Sequence, residues 1–290
     1  SGEGPAVTVI DGGGSGRVVD IAGSGITGAT ELRGFTITGG RLAGASGYGA
    51  GIRVSGASPV ITGNVIRGNE CVTDSGETGR NYGGSLHISN STAGRATELR
   101  FNVIDSNRQQ DGAWNYGAGV YVTGAGGAVI WQNVIRGNVN ESALNPSNRG
   151  HGAGVYVDDR ALLFSNLIVG NVNRTNAWNY GAGVACTGVG AELYGNTIAG
   201  NSCQGGNWAQ GGGVFVYLNA EATAKNNIVA GNSAGSGGGF FRYDHTSALL
   251  HNSFNDVWNN TGGNYVNCTP GTGDISEDPL FATGPMGGYC

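Results

Sequence analysis

The sequence predicts an all-β protein, a single-stranded right-handed parallel β-helix (solenoid) of roughly eight to nine coils. A block of about 30 residues recurs along the chain, the recurring segments lack a helical apolar period, and Gly accounts for 58 of the 290 residues. Gly between short Val- and Ile-rich runs indicates many turns between many short strands. We expect the solenoid to span residues 1–267 and an irregular tail to follow over 268–290.

Two Asn residues five positions apart mark each repeat, as in VITGNVIRGN over residues 60–69. The leading Asn residues are Asn64, Asn102, Asn133, Asn166, Asn196 and Asn227, and the second ones are Asn69, Asn107, Asn138, Asn171, Asn201 and Asn232. Parallel strands stack about 4.8 Å apart. Equivalent Asn side chains are therefore predicted to lie above one another and to hydrogen-bond as ladders.

Alternation within the strands predicts three columns of apolar side chains that point inward. The first column contains Leu32, Ile61, Leu99, Ile130, Leu163, Leu193 and Ala224. The second contains Ile37, Ile66, Ile104, Ile135, Ile168, Ile198 and Val229, and the third contains Val120, Val155, Val184 and Val214. Between the Asn block and the third column, the sequence predicts a polar loop of variable length in each coil.

Aromatic residues recur at the positions predicted to point outward. One outward column contains Trp131, Phe164 and Tyr194, and another contains Tyr121, Tyr156 and Phe215. The loops that enter the second column add Trp114, Tyr116, Trp178, Tyr180 and Trp208. Either the loops fold back and cover these rings as small secondary cores, or the rings stay exposed. An exposed aromatic surface would bind a glycan or an identical subunit.

Candidate catalytic groups are sparse. Asp105, Asp158 and Asp159 come nearest to an acidic cluster, and His87, His245 and His251 are interpreted as surface residues. His151 replaces a Tyr of the repeat. We predict no catalytic residue, no metal site and no cofactor.

If the protein is an enzyme, the expected class is a polysaccharide lyase or a glycoside hydrolase. The first residues to test would then be Arg100, Arg136, Tyr121, Tyr156 and His87.

The five cysteines do not form an obvious set of pairs. Cys268 and Cys290 are predicted to form a disulfide that clamps the tail, and Cys186 takes the inward position of a strand, as a buried thiol would. Cys71 and Cys203 lie at the same loop position about four coils apart, or roughly 19 Å, which exceeds disulfide reach. They are expected to be free thiols or to crosslink chains.

The charge pattern excludes some partners. The net charge is −5 and Lys225 is the single lysine, so we expect no nucleic-acid binding. No apolar run approaches the length of a membrane span. We expect a secreted or cell-surface protein whose signal segment is absent from this chain, because Ser1-Gly2-Glu3-Gly4 does not resemble a signal peptide.

The segment AVTVIDGGG over residues 6–14, the segment LRGFTITGG over residues 32–40 and the DPLF motif over residues 278–281 carry a family resemblance. With them the chain resembles the right-handed β-helix repeat proteins of bacterial cell surfaces and secretomes, related in fold to pectate lyases. That resemblance implies the fold. It implies no single function, because the family includes pectate and alginate lyases, galacturonases, epimerases and adhesins.

Taken together, these features predict a non-catalytic extracellular structural or surface protein that self-assembles through its solenoid ends or aromatic faces. The ends are expected to be exposed, since the chain starts close to the VTVID strand and stops soon after DPLF. The alternatives are a polysaccharide-active enzyme that binds a glycan along the solenoid groove, and a carbohydrate-binding adhesin.

Overall fold

A computed structural model describes residues 4–73, 78–90, 92, 94–142, 147–245 and 247–282. Over these residues the chain has no helix and forms a parallel β-solenoid of about 8 turns, which confirms the predicted fold class. No segment of this part meets the length and hydropathy of a membrane-spanning helix.

Five parallel sheets run along the solenoid, and each complete coil contributes one strand to each sheet in the order 1 to 5. Sheet 1 contains β1 (Val9–Asp11), β4 (Thr36–Thr38), β9 (Val65–Arg67), β14 (Val103–Asp105), β19 (Val134–Arg136), β24 (Leu167–Val169), β29 (Thr197–Ala199), β34 (Ile228–Ala230) and β37 (Asp256–Trp258). Sheet 2 contains β5 (Arg41–Ala43), β10 (Glu70–Val72), β15 (Arg108–Gln110), β20 (Val139–Glu141), β25 (Val172–Arg174) and β30 (Ser202–Cys203). Sheet 3 contains β6 (Gly47–Tyr48), β11 (Arg80–Tyr82), β16 (Trp114–Tyr116), β21 (Arg149–His151), β26 (Trp178–Tyr180) and β31 (Trp208–Gln210).

The two remaining sheets complete each coil. Sheet 4 contains β2 (Val19–Ala22), β7 (Ile52–Ser55), β12 (Leu86–Ser89), β17 (Val120–Thr123), β22 (Val155–Val157), β27 (Val184–Cys186), β32 (Val214–Val216), β35 (Phe240–Arg242) and β38 (Tyr265–Val266). Sheet 5 contains β3 (Glu31–Arg33), β8 (Val60–Thr62), β13 (Thr97–Arg100), β18 (Ala128–Trp131), β23 (Ala161–Phe164), β28 (Val189–Tyr194), β33 (Glu221–Lys225) and β36 (Leu249–Ser253).

The main core lies between sheets 1, 4 and 5, and the three predicted apolar columns are confirmed. Ile130 of sheet 5, Ile135 of sheet 1 and Val120 of sheet 4 are all fully buried in one continuous cluster. Strand pairing keeps each column in register, as in the alignment of Ile130 with Leu163. The core is therefore one column of side chains per sheet, extended from coil to coil.

Both Asn ladders are also confirmed. Along the first ladder, the Asn133 side-chain amide donates to Asn166 at 3.1 Å, and along the second the Asn138 amide donates to Asn171 at 2.9 Å. Each ladder Asn also donates to a backbone carbonyl, as Asn138 does to Ile104 at 3.0 Å. These contacts satisfy buried polar groups at the corners before and after sheet 1.

The Gly-x-Gly motif between sheets 3 and 4 has two separate physical causes. Gly181 has φ of +57°, a conformation that only Gly adopts without strain. Gly183 is required for space, because a Cβ there would lie 2.5 Å from the carbonyl oxygen of Gly213 in the next coil. The motif therefore sets both the turn and the spacing of the coils.

The last coil is covered, unlike the exposed end expected from the sequence. Thr272 and Ile275 form bridges with the strands of the last coil, and Asp274 accepts hydrogen bonds from the backbone and side chain of Asn255 at 2.7 and 3.1 Å. Burial alone would raise the pKa of Asp274, but hydrogen bonds from Asn255 and Gly271 lower it below its ordinary value. Residues 271–275 thus close the first Asn ladder with a carboxylate.

Candidate functional site

The candidate site is the outer face of sheet 5, where strand pairing aligns Trp131 with Phe164 and Phe164 with Tyr194. The Trp131 and Phe164 rings are stacked with centroids 5.5 Å apart, and Phe101 packs edge-on against Trp131 at 4.8 Å. Phe101 is 52% exposed and the other three rings are half-buried. We call these four rings the aromatic face.

Charged side chains flank the aromatic face. The Arg100 guanidinium lies 5.9 Å from the Trp131 ring centroid, 3.4 Å from Glu31 and 3.7 Å from Glu98. At the other end, a hydrogen bond with the carboxylate of Glu192 raises the pKa of Tyr194. The face therefore combines flat apolar rings with both signs of charge.

A shallow groove of about 290 Å³ adjoins the aromatic face on the side where the chain enters sheet 5. Its walls include Gly126, Arg160, Leu162 and Glu192. Leu162 and Glu192 also point outward from sheet 5, so groove and aromatic face form one continuous surface. Small residues line the rest of the groove and leave it open to an extended ligand.

The second aromatic column is buried, in contrast to the aromatic face. Sheet 3 folds against the outer face of sheet 4, and the rings of the two sheets pack together as a layer that we call the aromatic interlayer. In this layer Tyr116, Tyr121, Tyr156, Tyr180 and Phe215 are at most 9% exposed. The Tyr180 and Phe215 rings stack at 4.5 Å. These five predicted binding residues lie in a secondary core, where a ligand cannot stack on them directly, and their predicted binding role stays untested.

Two histidines belong to the aromatic interlayer. The interpretation of His87 as a surface residue is wrong: it is 7% exposed and stacks on Tyr121 at 5.2 Å, because sheet 3 covers it. His151 is 2% exposed among Trp114, Tyr116 and Tyr180. Burial lowers the pKa of His87 to about 4 and that of His151 to about 3.

The acidic residues noted in the sequence hold the fold together. Asp158 accepts hydrogen bonds from Tyr121 at 3.0 Å and Thr187 at 2.9 Å, and Asp159 accepts one from Thr123 at 3.0 Å. Asp105 pairs with Arg136 at 3.3 Å in sheet 1. In the residues that the structure describes, no three His, Cys, Asp or Glu side chains form a group that could hold a metal ion.

A further column lies on the outer side of sheet 3, where strand pairing aligns Arg80, Trp114, Arg149, Trp178 and Trp208. The Arg149 guanidinium lies between two indole rings, 3.8 Å from the Trp114 centroid and 3.3 Å from the Trp178 centroid. We call this set the cation–π column. In the sequence, Arg149 occupies the repeat position that Trp114 and Trp178 occupy in the neighbouring coils. That substitution is the sequence feature from which the cation–π column could have been predicted.

Burial explains three of the cysteines. Cys186 lies in the main core, as expected from its position, and Cys71 and Cys203 are buried free thiols in sheet 2. Burial raises the pKa of each of these three thiols to about 12. Cys268 is half-buried, and Cys290 lies outside the described residues, so the predicted Cys268–Cys290 disulfide stays a prediction.

The fold and its surfaces define this chain as a β-helix repeat protein with a partly exposed aromatic face on sheet 5. A family model described as disaggregatase related matches residues 192–290, which include Tyr194, Trp208 and Phe215. Neither a curated protein nor a solved structure matches the chain.

Proposed function

We propose that this protein is a secreted or cell-surface protein that binds an extended polysaccharide along the aromatic face and the adjoining groove. The observation that carries the proposal is the aromatic face of Phe101, Trp131, Phe164 and Tyr194, which stays partly exposed while the aromatic interlayer between sheets 3 and 4 is buried. An exposed aromatic patch on a protein surface usually marks a binding site.

The geometry of the aromatic face suits a linear chain of sugars. Trp131, Phe164 and Tyr194 follow one another from strand to strand, with 5.5 Å between the Trp131 and Phe164 ring centroids. Phe101, at the corner after the preceding strand, packs edge-on against Trp131 with ring centroids 4.8 Å apart. The edges of the stacked Trp131 and Phe164 rings and the exposed Phe101 ring offer apolar surface to the C–H groups of sugars, and the charged groups of Arg100 and Glu192 are placed to bind hydroxyl or carboxylate groups. The match to a disaggregatase-related family model supports a surface or enzyme-like role.

The carboxylates on this face favour binding over hydrolysis. Glu98 and Glu192 are three strands apart, or about 14 Å, which exceeds the roughly 5 to 9.5 Å between the two acids of a glycosidase. Glu31 and Glu98 are closer, but both form ion pairs with Arg100. We therefore propose that the protein binds a polysaccharide on this face rather than hydrolysing it.

Titration of the protein with a panel of neutral, acidic and amino-sugar polysaccharides tests the proposal. We expect saturable binding to at least one polymer, and at least tenfold weaker binding for each of Trp131→Ala and Phe164→Ala, a loss of about 1.4 kcal/mol. The matched control is Trp258→Ala, which removes a half-buried ring on the outer face of sheet 1. The proposal fails if no polymer binds, or if the control weakens binding as much as Trp131→Ala.

Self-association is a second candidate, favoured by an aliphatic column on the outer face of sheet 1. Val65, Val103, Val134, Leu167 and Ile228 point outward there, and all are half-buried. An aliphatic strip, interrupted at Thr197 between Leu167 and Ile228, suits the same strip on a second copy. We expect Val134→Glu to convert an oligomer to a monomer in light scattering, whereas a wild-type protein that stays monomeric at high concentration would rule this out.

A further inference from the structure

The cation–π column ends in a ring that lacks the partner its counterparts have. Trp114 and Trp178 both contact the Arg149 guanidinium, whereas Trp208 is 54% exposed, and none of the ring or cation contacts in the described part of the chain involves it. Strand pairing places Trp208 directly after Trp178. One coil further on, Ser233 pairs with Ser202 of sheet 2 and Ser236 pairs with Gln210 of sheet 3, and Ala234 between them is buried against Cys203. The column therefore stops at an indole with no side chain to cover it.

A pocket opens at that point. It has a volume of about 260 Å³, and Trp208, Phe241 and Tyr243 contribute its aromatic walls. Asp244 and His245 line the same pocket with the Asp244 carboxylate 3.5 Å from the His245 imidazole, and the side chain of Asp244 is 48% exposed. Asn267 and Gln210 add polar groups to the rim. The pocket thus combines aromatic rings with a carboxylate that solvent can reach.

Aromatic rings together with a carboxylate select organic cations, because ring faces and carboxylate oxygens both attract positive charge. Within the cation–π column the indole rings already bind a guanidinium, because that of Arg149 lies 3.3 Å from the Trp178 ring centroid and 3.8 Å from the Trp114 centroid. A planar guanidinium stacks on an indole more readily than a compact ammonium does.

We infer that the Trp208 pocket is a binding site for a guanidinium group, supplied by an arginine side chain of a partner peptide. In the complex, the guanidinium stacks on the Trp208 indole as Arg149 stacks on Trp178, and it forms an ion pair with the Asp244 carboxylate. The site is on sheet 3 and at the end of sheet 4, away from the aromatic face on sheet 5, so it is independent of the polysaccharide proposal.

The test uses the full chain and follows the Trp indole N–H resonances by NMR at pH 8. N-acetyl-arginine amide is the probe, and N-acetyl-citrulline amide, which has the same shape without the charge, is the matched ligand control. We expect a saturable shift of the Trp208 resonance with the arginine probe and at least tenfold weaker binding of citrulline. An arginine-containing peptide is expected to bind at least as well as the single residue.

Variants separate this site from the aromatic face. Because Trp208→Leu removes the reporter resonance, binding to the variants is followed by saturation transfer to the resonances of the arginine probe. Trp208→Leu is expected to abolish this transfer and Asp244→Asn to weaken binding severalfold, whereas Trp131→Leu on sheet 5 leaves arginine binding unchanged. Both Trp208 and Asp244 are exposed, so these variants should fold like the wild type. Equal binding of arginine and citrulline, or retention of binding by Trp208→Leu, would overturn the inference.

Discussion

His151 offers a sharp test of the aromatic interlayer. Its ring occupies the position that Tyr116 and Tyr180 occupy in the adjacent coils, and both ring nitrogens are buried without a hydrogen-bond partner among the described residues. His151→Tyr restores the repeat residue. The Tyr hydroxyl would extend toward the edge of the layer, where Tyr116 is 9% exposed. We expect this substitution to stabilise the fold and to reduce its sensitivity to acid.

The magnitude follows from the pKa of His151, which burial lowers to about 3, whereas an unfolded His has a pKa near 6.5. Between pH 6 and pH 4 the unfolded state binds the proton and the folded state does not, so stability falls as the pH falls. The loss is about 1.4 kcal/mol per pH unit, or about 2.7 kcal/mol over this window. At pH 7, His151→Tyr should raise the free energy of unfolding by about 1 kcal/mol or more, because it removes two buried nitrogens that lack hydrogen-bond partners.

Urea denaturation followed by circular dichroism, at pH 7, 6 and 4 and constant ionic strength, measures both effects. The wild type should lose about 2.7 kcal/mol more than His151→Tyr between pH 6 and pH 4. His245→Tyr, the same substitution at a side chain that is 78% exposed, is the matched control for the change of residue type. If His151→Tyr loses as much stability in acid as the wild type, the argument from burial is refuted.

Three further predictions concern the solenoid itself. Asn171→Ala removes side-chain hydrogen bonds on both sides of one ladder step and should cost about 3 kcal/mol in urea denaturation; a cost below about 0.5 kcal/mol would contradict the ladder argument. Gly183→Ala places a Cβ against the Gly213 carbonyl and should cost about 2 kcal/mol, whereas an unchanged midpoint would show that the coils can separate freely. Cys71 and Cys203 should react with a thiol reagent only after unfolding, since burial raises each thiol pKa to about 12, and rapid reaction in the native protein would contradict their burial.

The sequence predicts the main core well because one physical rule, alternation, applies in every coil. Ile135 and Ile130 are inward neighbours of Asn133 in sequence, and a shift of register by one residue would expose both. The Asn ladders can also be predicted from the sequence, because two Asn residues recur five positions apart in each repeat and stacked coils place equivalent residues above one another. The fold class therefore follows from the period alone.

Sheets 2 and 3 were predicted as polar loops, and the physical reason is that sheet 2 lacks an apolar face. Its outward side chains form an alternating ion-pair series, with Glu70 between Arg41 at 3.3 Å and Arg108 at 3.5 Å. Its inward side chains are largely polar, as where Asn140 donates to Asn173 at 2.9 Å. Polar residues on both sides leave no apolar alternation to recognise.

The site could be predicted only in part, because the sequence gives the outward positions but not what covers them. Trp131 and Tyr121 hold equivalent outward positions on two sheets, yet Trp131 is half-buried and Tyr121 is 5% exposed. The difference comes from sheet 3, which folds over sheet 4 and leaves sheet 5 open. Which face is covered depends on the strands of sheet 3. Their Trp-Asn-Tyr segments show aromatic residues at coil spacing, but not the sheet against which they pack.

The Asn ladders have a direction, and that direction gives the solenoid an electrical polarity. Every side-chain amide along the first ladder donates toward the next coil, from Asn64 through Asn227 to Asn255, so the amide dipoles add head to tail. The positive end of this array meets the Asp274 carboxylate, as the positive end of a helix dipole meets an acidic cap. Protonation of Asp274 would remove that match, so in acid the fold should begin to open from the coil beneath residues 271–275.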